Sequence, residues 1–189
     1  AVNSLPSQVH AGVTRAYDFS QLRSVTDVGG GSGAFVATLL NANPHLQATL
    51  FDRAPAIERS AEVLQSRGVA DRCRRIAGDF FESVPLGSEA IILSRVLHDF
   101  SDEESLQILR NCRAALPRGG RLLIVEYVVG DDEAGKAAKL FDLHMLVYFG
   151  AARERTAEEF GALLGRSGFA LLRIFTSSAL IAVIEAEAR

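Results

Sequence analysis

The stretch Asp27-Val28-Gly29-Gly30-Gly31-Ser32-Gly33 constrains this chain more than any other. It follows Ser24-Val25-Thr26, which reads as a strand, and precedes Ala34–Leu40, which reads as the start of a helix. Glycines at such a junction let the backbone turn tightly and let a ligand approach the main chain. A strand, a glycine turn and a helix in that order form the first βα unit of a nucleotide-binding sheet.

The rest of the chain repeats the alternation. A helix is expected over Pro6–Tyr17. Gln47–Phe51 reads as a strand ending in Asp52, and Ala54–Arg67 as a helix stopped by Gly68. Arg74–Ala77 and Ala90–Leu93 follow as strands. Ser101 and Glu104 have capping-box spacing before Leu106, Leu109, Cys112 and Leu116. Arg121–Val129 is the longest strand expected, and Ala137–Tyr148 is an apolar helix. Thr156 and Glu159 form a second capping box, with Gly168 as the stop. Leu171–Phe175 and Leu180–Glu185 close the chain as two strands of a hairpin. The pattern predicts an α/β fold: a Rossmann-like, mostly parallel sheet with one antiparallel strand and helices on both faces. Residues 1–20 are expected as a lead-in segment and residues 21–189 as the ligand-binding domain.

A chain of 189 residues, 48% hydrophobic, supports one domain with a sizeable core. The net charge of −3 and the scattered basic residues speak against nucleic acid as the main partner. Cys73 and Cys112, the only cysteines, form no metal-ligand spacing and are expected as buried, reduced thiols of a cytoplasmic protein. No apolar run is long enough to span a bilayer.

Ligands of such sheets bind at the carboxyl ends of the strands. Asp27, at the mouth of the glycine turn, repels a pyrophosphate but can hold the ammonium of an amino acid, which favours S-adenosylmethionine over a dinucleotide. Asp52 suits the two hydroxyls of an adenosine ribose. That signal alone fits NAD equally, and Gly29-x-Gly31-x-x-Ala34 also satisfies the relaxed dinucleotide fingerprint. Asp79 and Phe80 are placed to meet an adenine, although paired Phe80 and Phe81 equally suit core packing. Ser94 and Arg95 end a strand within reach of a cofactor carboxylate.

His98, in a strand-to-helix loop, is a candidate general base because imidazole titrates near neutrality. Glu126 sits in the apolar run Leu122–Val125, where a charge needs a reason. Glu154 precedes a capped helix. Either carboxylate is able to orient the imidazole, and Glu154 also reads locally as a surface salt-bridge residue.

Taken together, DVGGGSG at 27–33, LFDRAP at 50–55, GDFFESVP at 78–85, LHDFSDEE at 97–104, NCRAALPRGGRLLIVE at 111–126 and RERT at 153–156 resemble the class I methyltransferases. More closely, they resemble the caffeic acid O-methyltransferase-like family and its bacterial branch in secondary metabolism. The resemblance implies that Gly29, Gly31, Asp27, Asp52, Asp79, Phe80 and Ser94 bind S-adenosylmethionine and its product S-adenosylhomocysteine. It implies His98 as proton acceptor, flanked by Glu126 and Glu154, and no metal. Met145 falls where relatives pack a methionine on the acceptor ring, a position that ordinary helix packing explains as well. Two stretches depart from the family. Ser94 replaces a lysine common in plant members, and Tyr148–Ala152 replaces an Asn-Pro-Gly-Gly type of sequence. Relatives also carry an N-terminal dimerisation domain ahead of the glycine turn, so this chain is expected to be the catalytic part of a longer homodimeric protein.

The reading that follows is an O-methyltransferase acting on a hydroxyl, expected to be phenolic, of a small-molecule metabolite. Its rivals are a relative that binds the cofactor but catalyses hydroxylation or decarboxylation, an NAD oxidoreductase, and an inactive binding domain.

Overall fold

The computed structural model of the protein describes residues 7–130, 153–177 and 181–189. Pro6, the segment expected as a helix over 137–148, Met145 within it, and Tyr148–Ala152 lie outside the described residues.

Helix α1 (Ser7–Ala16) precedes strand β1 (Ser24–Val28), helix α2 (Ala34–Ala42), β2 (Gln47–Asp52) and α3 (Ala54–Ser66). A 3-10 turn at Ala70–Arg72 leads into β3 (Cys73–Ala77), and β4 (Ala90–Ser94) into a 3-10 turn at Leu97–Asp99 and then α4 (Asp102–Ala115). There follow β5 (Arg121–Glu126), β6 (Val128–Val129), β7 (Arg155–Thr156), α5 (Ala157–Arg166), β8 (Phe169–Thr176) and β9 (Ala182–Ala188).

Seven strands form one sheet in the order β3-β2-β1-β4-β5-β9-β8. Neighbours among β1 to β5 pair in parallel, while β9 runs antiparallel to both β5 and β8. The single antiparallel strand and the terminal hairpin are those expected. The chain first winds outward from β1 to β3, then returns to lay β4 against the other side of β1. That reversal puts the topological switch point at the carboxyl ends of β1 and β4, where doubly wound sheets usually bind their ligands.

Strand alternation divides the core. Ile92, Leu123, Val125 and Val183 pack in one cluster with Val13, Leu39, Leu40 and Leu64 of α1 to α3. Ile91, Leu93, Leu122, Ile124 and Ile184 pack on the opposite face with Leu106, Leu109, Phe160 and Leu164 of α4 and α5. Both capping boxes form: Ser101 and Glu104 start α4, and Thr156 and Glu159 start α5. Cys73 and Cys112 are free and buried, and burial pushes both thiols up to about 12. Among the described residues, no helix is long and apolar enough to cross a membrane.

The run Arg121–Val129 is not one strand. Its pairing with β9 ends at Glu126 opposite Ala182, and Tyr127 interrupts it. Val128 and Val129 then pair with Arg155 and Thr156 in a small parallel sheet. An apolar run continues through this break because both pieces are buried or half-buried, so hydropathy carries no sign of the change of partner. Strand β8, with 8 residues, is longer than any piece of that run.

Candidate active site

The glycine turn closes over the end of β1. Gly29, Gly31 and Gly33 have φ of 71°, 59° and 77°, a region that side-chain-bearing residues avoid. A Cβ on Gly30 would collide with the Asp27 carboxylate and Leu50 beneath it, whereas above Gly31 nothing lies within 4 Å of the Cβ position. The turn is thus tight underneath and open above. Asp52 holds it from β2: the Gly31 N–H donates to Oδ2 at 2.8 Å and the Arg53 N–H donates to Oδ1 at 2.6 Å. The carboxylate is half-buried and keeps further acceptor capacity for hydroxyl groups.

Asp27 does not open at the mouth of the turn. It shares the strand parity of Val25, so it points under the turn among the residues packed beneath α2 and α3, fully buried. Neither oxygen has a hydrogen-bond partner. Burial, with the Asp52 charge adding, raises its pKa to about 7. Spacing alone gave its position at the end of the strand but not the face it takes.

Asp79 is exposed and Phe80 half-buried just after β3. The Phe81 N–H donates to Asp79 Oδ1 at 2.8 Å. Phe80, Phe81 and Phe100 form an aromatic cluster with centroids 5.0–5.7 Å apart. Asn111 of α4 donates to the Phe80 and Phe81 carbonyls at 2.8 and 2.9 Å, and Gln107 to the Phe81 carbonyl at 2.8 Å. Phe80 Cε1 would lie 3.6 Å from a Cβ on Gly29, so the ring reaches the glycine turn while packing on its aromatic neighbours. The two roles left open for Phe80 are geometrically compatible.

Ser94 ends β4 half-buried, and the chain then enters the His98 turn. His98 is buried, with Nδ1 3.3–3.4 Å from the Glu126 carboxylate and Nε2 3.2 Å from Asp99 Oδ1. Glu126 also accepts from the Val96, Leu97 and His98 N–H groups at 2.9, 3.0 and 3.4 Å, which fixes the turn carrying the imidazole. Strand parity explains this placement: with Leu122 and Ile124, Glu126 faces the α4 side, where the His98 turn lies. Burial disfavours a charged imidazole, but Glu126 and Asp99 outweigh it and raise the His98 pKa despite the opposing charge of Arg95. Burial works against the ionised Glu126 carboxyl, yet Arg95 and His98 hold it below its usual range.

Glu154 is buried rather than on the surface. It joins the cluster through Arg95, whose Nη1 lies 2.8 Å from Glu154 Oε1 and 2.7 Å from Glu126 Oε2. Burial raises the Glu154 carboxyl to about 7, against the pull of Arg95. Arg95 is therefore engaged with two protein carboxylates, and the expectation that it meets a cofactor carboxylate gives way to this geometry. The Arg153 N–H donates to the His98 carbonyl at 2.9 Å. Arg155, fully buried, donates to the Leu97 and Phe100 carbonyls at 2.8 and 2.7 Å and to Asp102 at 3.0 Å. Asp99, Arg95 and Arg155 were not singled out for these parts. The dense charge of Arg153-Glu154-Arg155 was the available signal, and in sequence it looks like a solvated run. Among the described residues, no group of three or more His, Cys, Asp or Glu could hold a metal ion.

The glycine turn, Asp52, Asp79, Phe80 and Ser94 thus all lie at or just after the carboxyl ends of β1 to β4, and the His98 turn follows β4 at the same sheet edge. The O-methyltransferase domain family matches residues 2–170. The chain belongs to that family. It is 44% identical over 179 residues to the phenazine O-methyltransferase PhzM of Lysobacter antibioticus, covering 95% of this chain and 52% of that protein. The crystal structure of LaPhzM superposes with a TM-score of 0.91 at 43% identity, over 97% of this chain and 55% of that one. The O-methyltransferase NcsB1 from neocarzinostatin biosynthesis, solved with S-adenosylmethionine and 2-hydroxy-5-methyl naphthoic acid, has a TM-score of 0.85 at 31% identity, over 97% and 56% of the two chains. The aclacinomycin 10-hydroxylase RdmB of Streptomyces purpurascens is 42% identical, over 86% of this chain and 44% of that protein. The chain spans about half the length of the curated relatives it matches.

Proposed function

We propose that this chain is the cofactor-binding and proton-accepting part of an S-adenosylmethionine-dependent O-methyltransferase that acts on a phenolic hydroxyl of a small-molecule metabolite. The observation that carries the reading is the His98 imidazole, backed by Glu126 on a turn whose Val96 packs against Gly29. Related proteins named for O-methylation of aromatic compounds support it.

The residues fit the cofactor. Space above Gly31 admits a ligand to the main chain, Ser94 ends the strand that pairs with β1, and Asp52 offers acceptors to ribose hydroxyls. Asp79 and Phe80 suit an adenine, and buried Asp27 supports the turn from below. When bound, the sulfonium supplies the methyl group. The chain's own part is the proton. A phenol near pKa 10 is poorly ionised at neutral pH, so a base in hydrogen-bond reach helps. With Nδ1 held by Glu126, Nε2 is the nitrogen that accepts the hydroxyl proton, and Asp99 steadies the imidazolium that results. Met145 would touch the acceptor ring. Residues 1–20 as lead-in, residues 21–189 as catalytic domain, a homodimeric parent and a cytoplasmic location belong to the same reading.

The hydroxylase among the relatives favours a second reading, a cofactor-binding protein that does not methylate. Mass spectrometry of the full protein with methyl-deuterated S-adenosylmethionine and a phenol panel, including 1,4-dihydroxy-2-naphthoic acid, separates them. The expected result is a labelled ether that falls by roughly 10²–10⁴-fold in His98→Ala, with S-adenosylhomocysteine binding retained. Full turnover in a folded His98→Ala protein would overturn the proton-acceptor role, and a hydroxylated, unlabelled product would establish the second reading.

A further inference from the structure

We propose that Arg95 is a positioning residue that ties Glu154 to Glu126 and so holds the charged carboxylate behind His98. The inference deepens the reading of His98 as base and rests on it.

Arg95 combines three features. Among the described residues it is the one non-glycine position with positive φ, at 54°. Such a backbone is strained for an ordinary side chain, and it persists only where the surroundings determine it. The surroundings do so here. The Arg95 N–H donates to the Val125 carbonyl at 3.0 Å, and the guanidinium lies 4.9 Å from the Tyr127 ring centroid. The left-handed turn is what brings the guanidinium back over β5. There one nitrogen, Nη1, meets both Glu126 and Glu154, and all three side chains are nearly sealed from water.

Electrostatics gives this bridge its role. Two ionised carboxylates sharing a buried pocket repel each other, and a cation between them offsets that repulsion. Arg95 is that cation, and it sits on the Glu126 oxygen next to His98 Nδ1. The charges facing the imidazole are Glu126 from β5, Arg95 from the exit of β4, Asp99 from its own turn and Glu154 from the segment before β7. Arg95 opposes the carboxylates, so removing it leaves the imidazole in a more negative pocket, where it grips a proton more tightly. A base that holds its proton too well is not free to accept one near neutrality. Arg95 also links β4 to the strap at 153–156, which grips the same turn through Arg153 and Arg155.

The test reads the imidazole directly and needs no acceptor. His98 in the full protein, with S-adenosylhomocysteine present, is titrated by NMR of labelled imidazole, assigned with His98→Gln. Arg95→Gly removes the guanidinium and suits a left-handed backbone. Its midpoint is expected to rise by roughly a pH unit, tenfold in proton affinity. Arg95→Lys keeps the charge and should return most of the shift. Glu154→Gln added to Arg95→Gly should bring the midpoint back towards wild type. If Arg95→Gly alone does not fold, Arg95→Gly/Glu154→Gln compared with Glu154→Gln reads the same upward shift without a stranded carboxylate. A midpoint unmoved in both backgrounds overturns the proposal. Loss of the base role itself shows separately, as a folded His98→Ala protein that methylates normally.

Discussion

Asp52 and Asp27 lie on adjacent strands and face different tasks. Asp52 accepts from two loop amides while remaining half-buried, so one carboxylate both shapes the glycine turn and offers itself to a ligand. Asp52→Ala is expected to weaken S-adenosylhomocysteine by about 1–3 kcal/mol, read by calorimetry, because a charged hydrogen-bond acceptor is lost and the turn loses its anchor. Asp27 is sealed beneath that turn with no partner. Its carboxyl is raised from 3.8 to about 7, so the folded protein prefers it protonated. The stability linked to this group is full below its unfolded value near 3.8 and is lost as pH rises through about 7. Glu154, also raised to about 7, adds a decline of the same sign. Asp27→Asn should therefore melt close to wild type at low pH and above it at pH 8, with Glu154 still contributing its share. Melting curves across that range check this, and a variant that melts lower at pH 8 would show that the ionised carboxylate is wanted.

At the scale of elements, helix starts set the site. Helix α4 begins at a complete capping box and carries Asn111 and Gln107, which pin the Phe80–Phe81 backbone. Helix α5 begins at a second box, directly after the strap that grips the His98 turn. Ser101→Ala and Thr156→Ala should each cost about 1 kcal/mol in urea unfolding, the usual worth of an N-cap. The consequences should differ. Loss of the α4 cap loosens the aromatic loop, whereas loss of the α5 cap loosens the hold on His98. Equal effects of both variants on S-adenosylhomocysteine affinity would contradict that division.

For the molecule as a whole, the order β3-β2-β1-β4-β5-β9-β8 puts the glycine turn and the His98 turn side by side at the switch between β1 and β4. A ligand seated there touches several strand ends at once and should stabilise the whole sheet. S-adenosylhomocysteine at 100 times its Kd is expected to add about 2.7 kcal/mol to unfolding, seen as a rise in Tm, while NAD leaves Tm unchanged. A rise with NAD alone would reverse the choice of S-adenosylmethionine over a dinucleotide, which the sequence based on Asp27 with the glycine turn and Asp52.

Local pattern was enough for much of this protein. Alternating strands and helices, the glycine turn, two capping boxes and acidic residues at strand ends are all short-range signals, and they led to the sheet class, its antiparallel strand and the identity of His98, Glu126 and Glu154. Partner choice was not local. Whether Arg121–Val129 stayed one strand depended on where β9 stops pairing. Whether Asp27 faced a ligand or the core depended on which sheet face β1 presents beneath α2. Arg95 looked available to a cofactor until the fold brought Glu126 and Glu154, 31 and 59 residues away, to its one nitrogen. Buried charge pairs are set by contacts distant in sequence, and desolvation makes those contacts decisive. For that reason the residue types of the site were legible in the chain, while their pairing was decided only when the sheet closed around them.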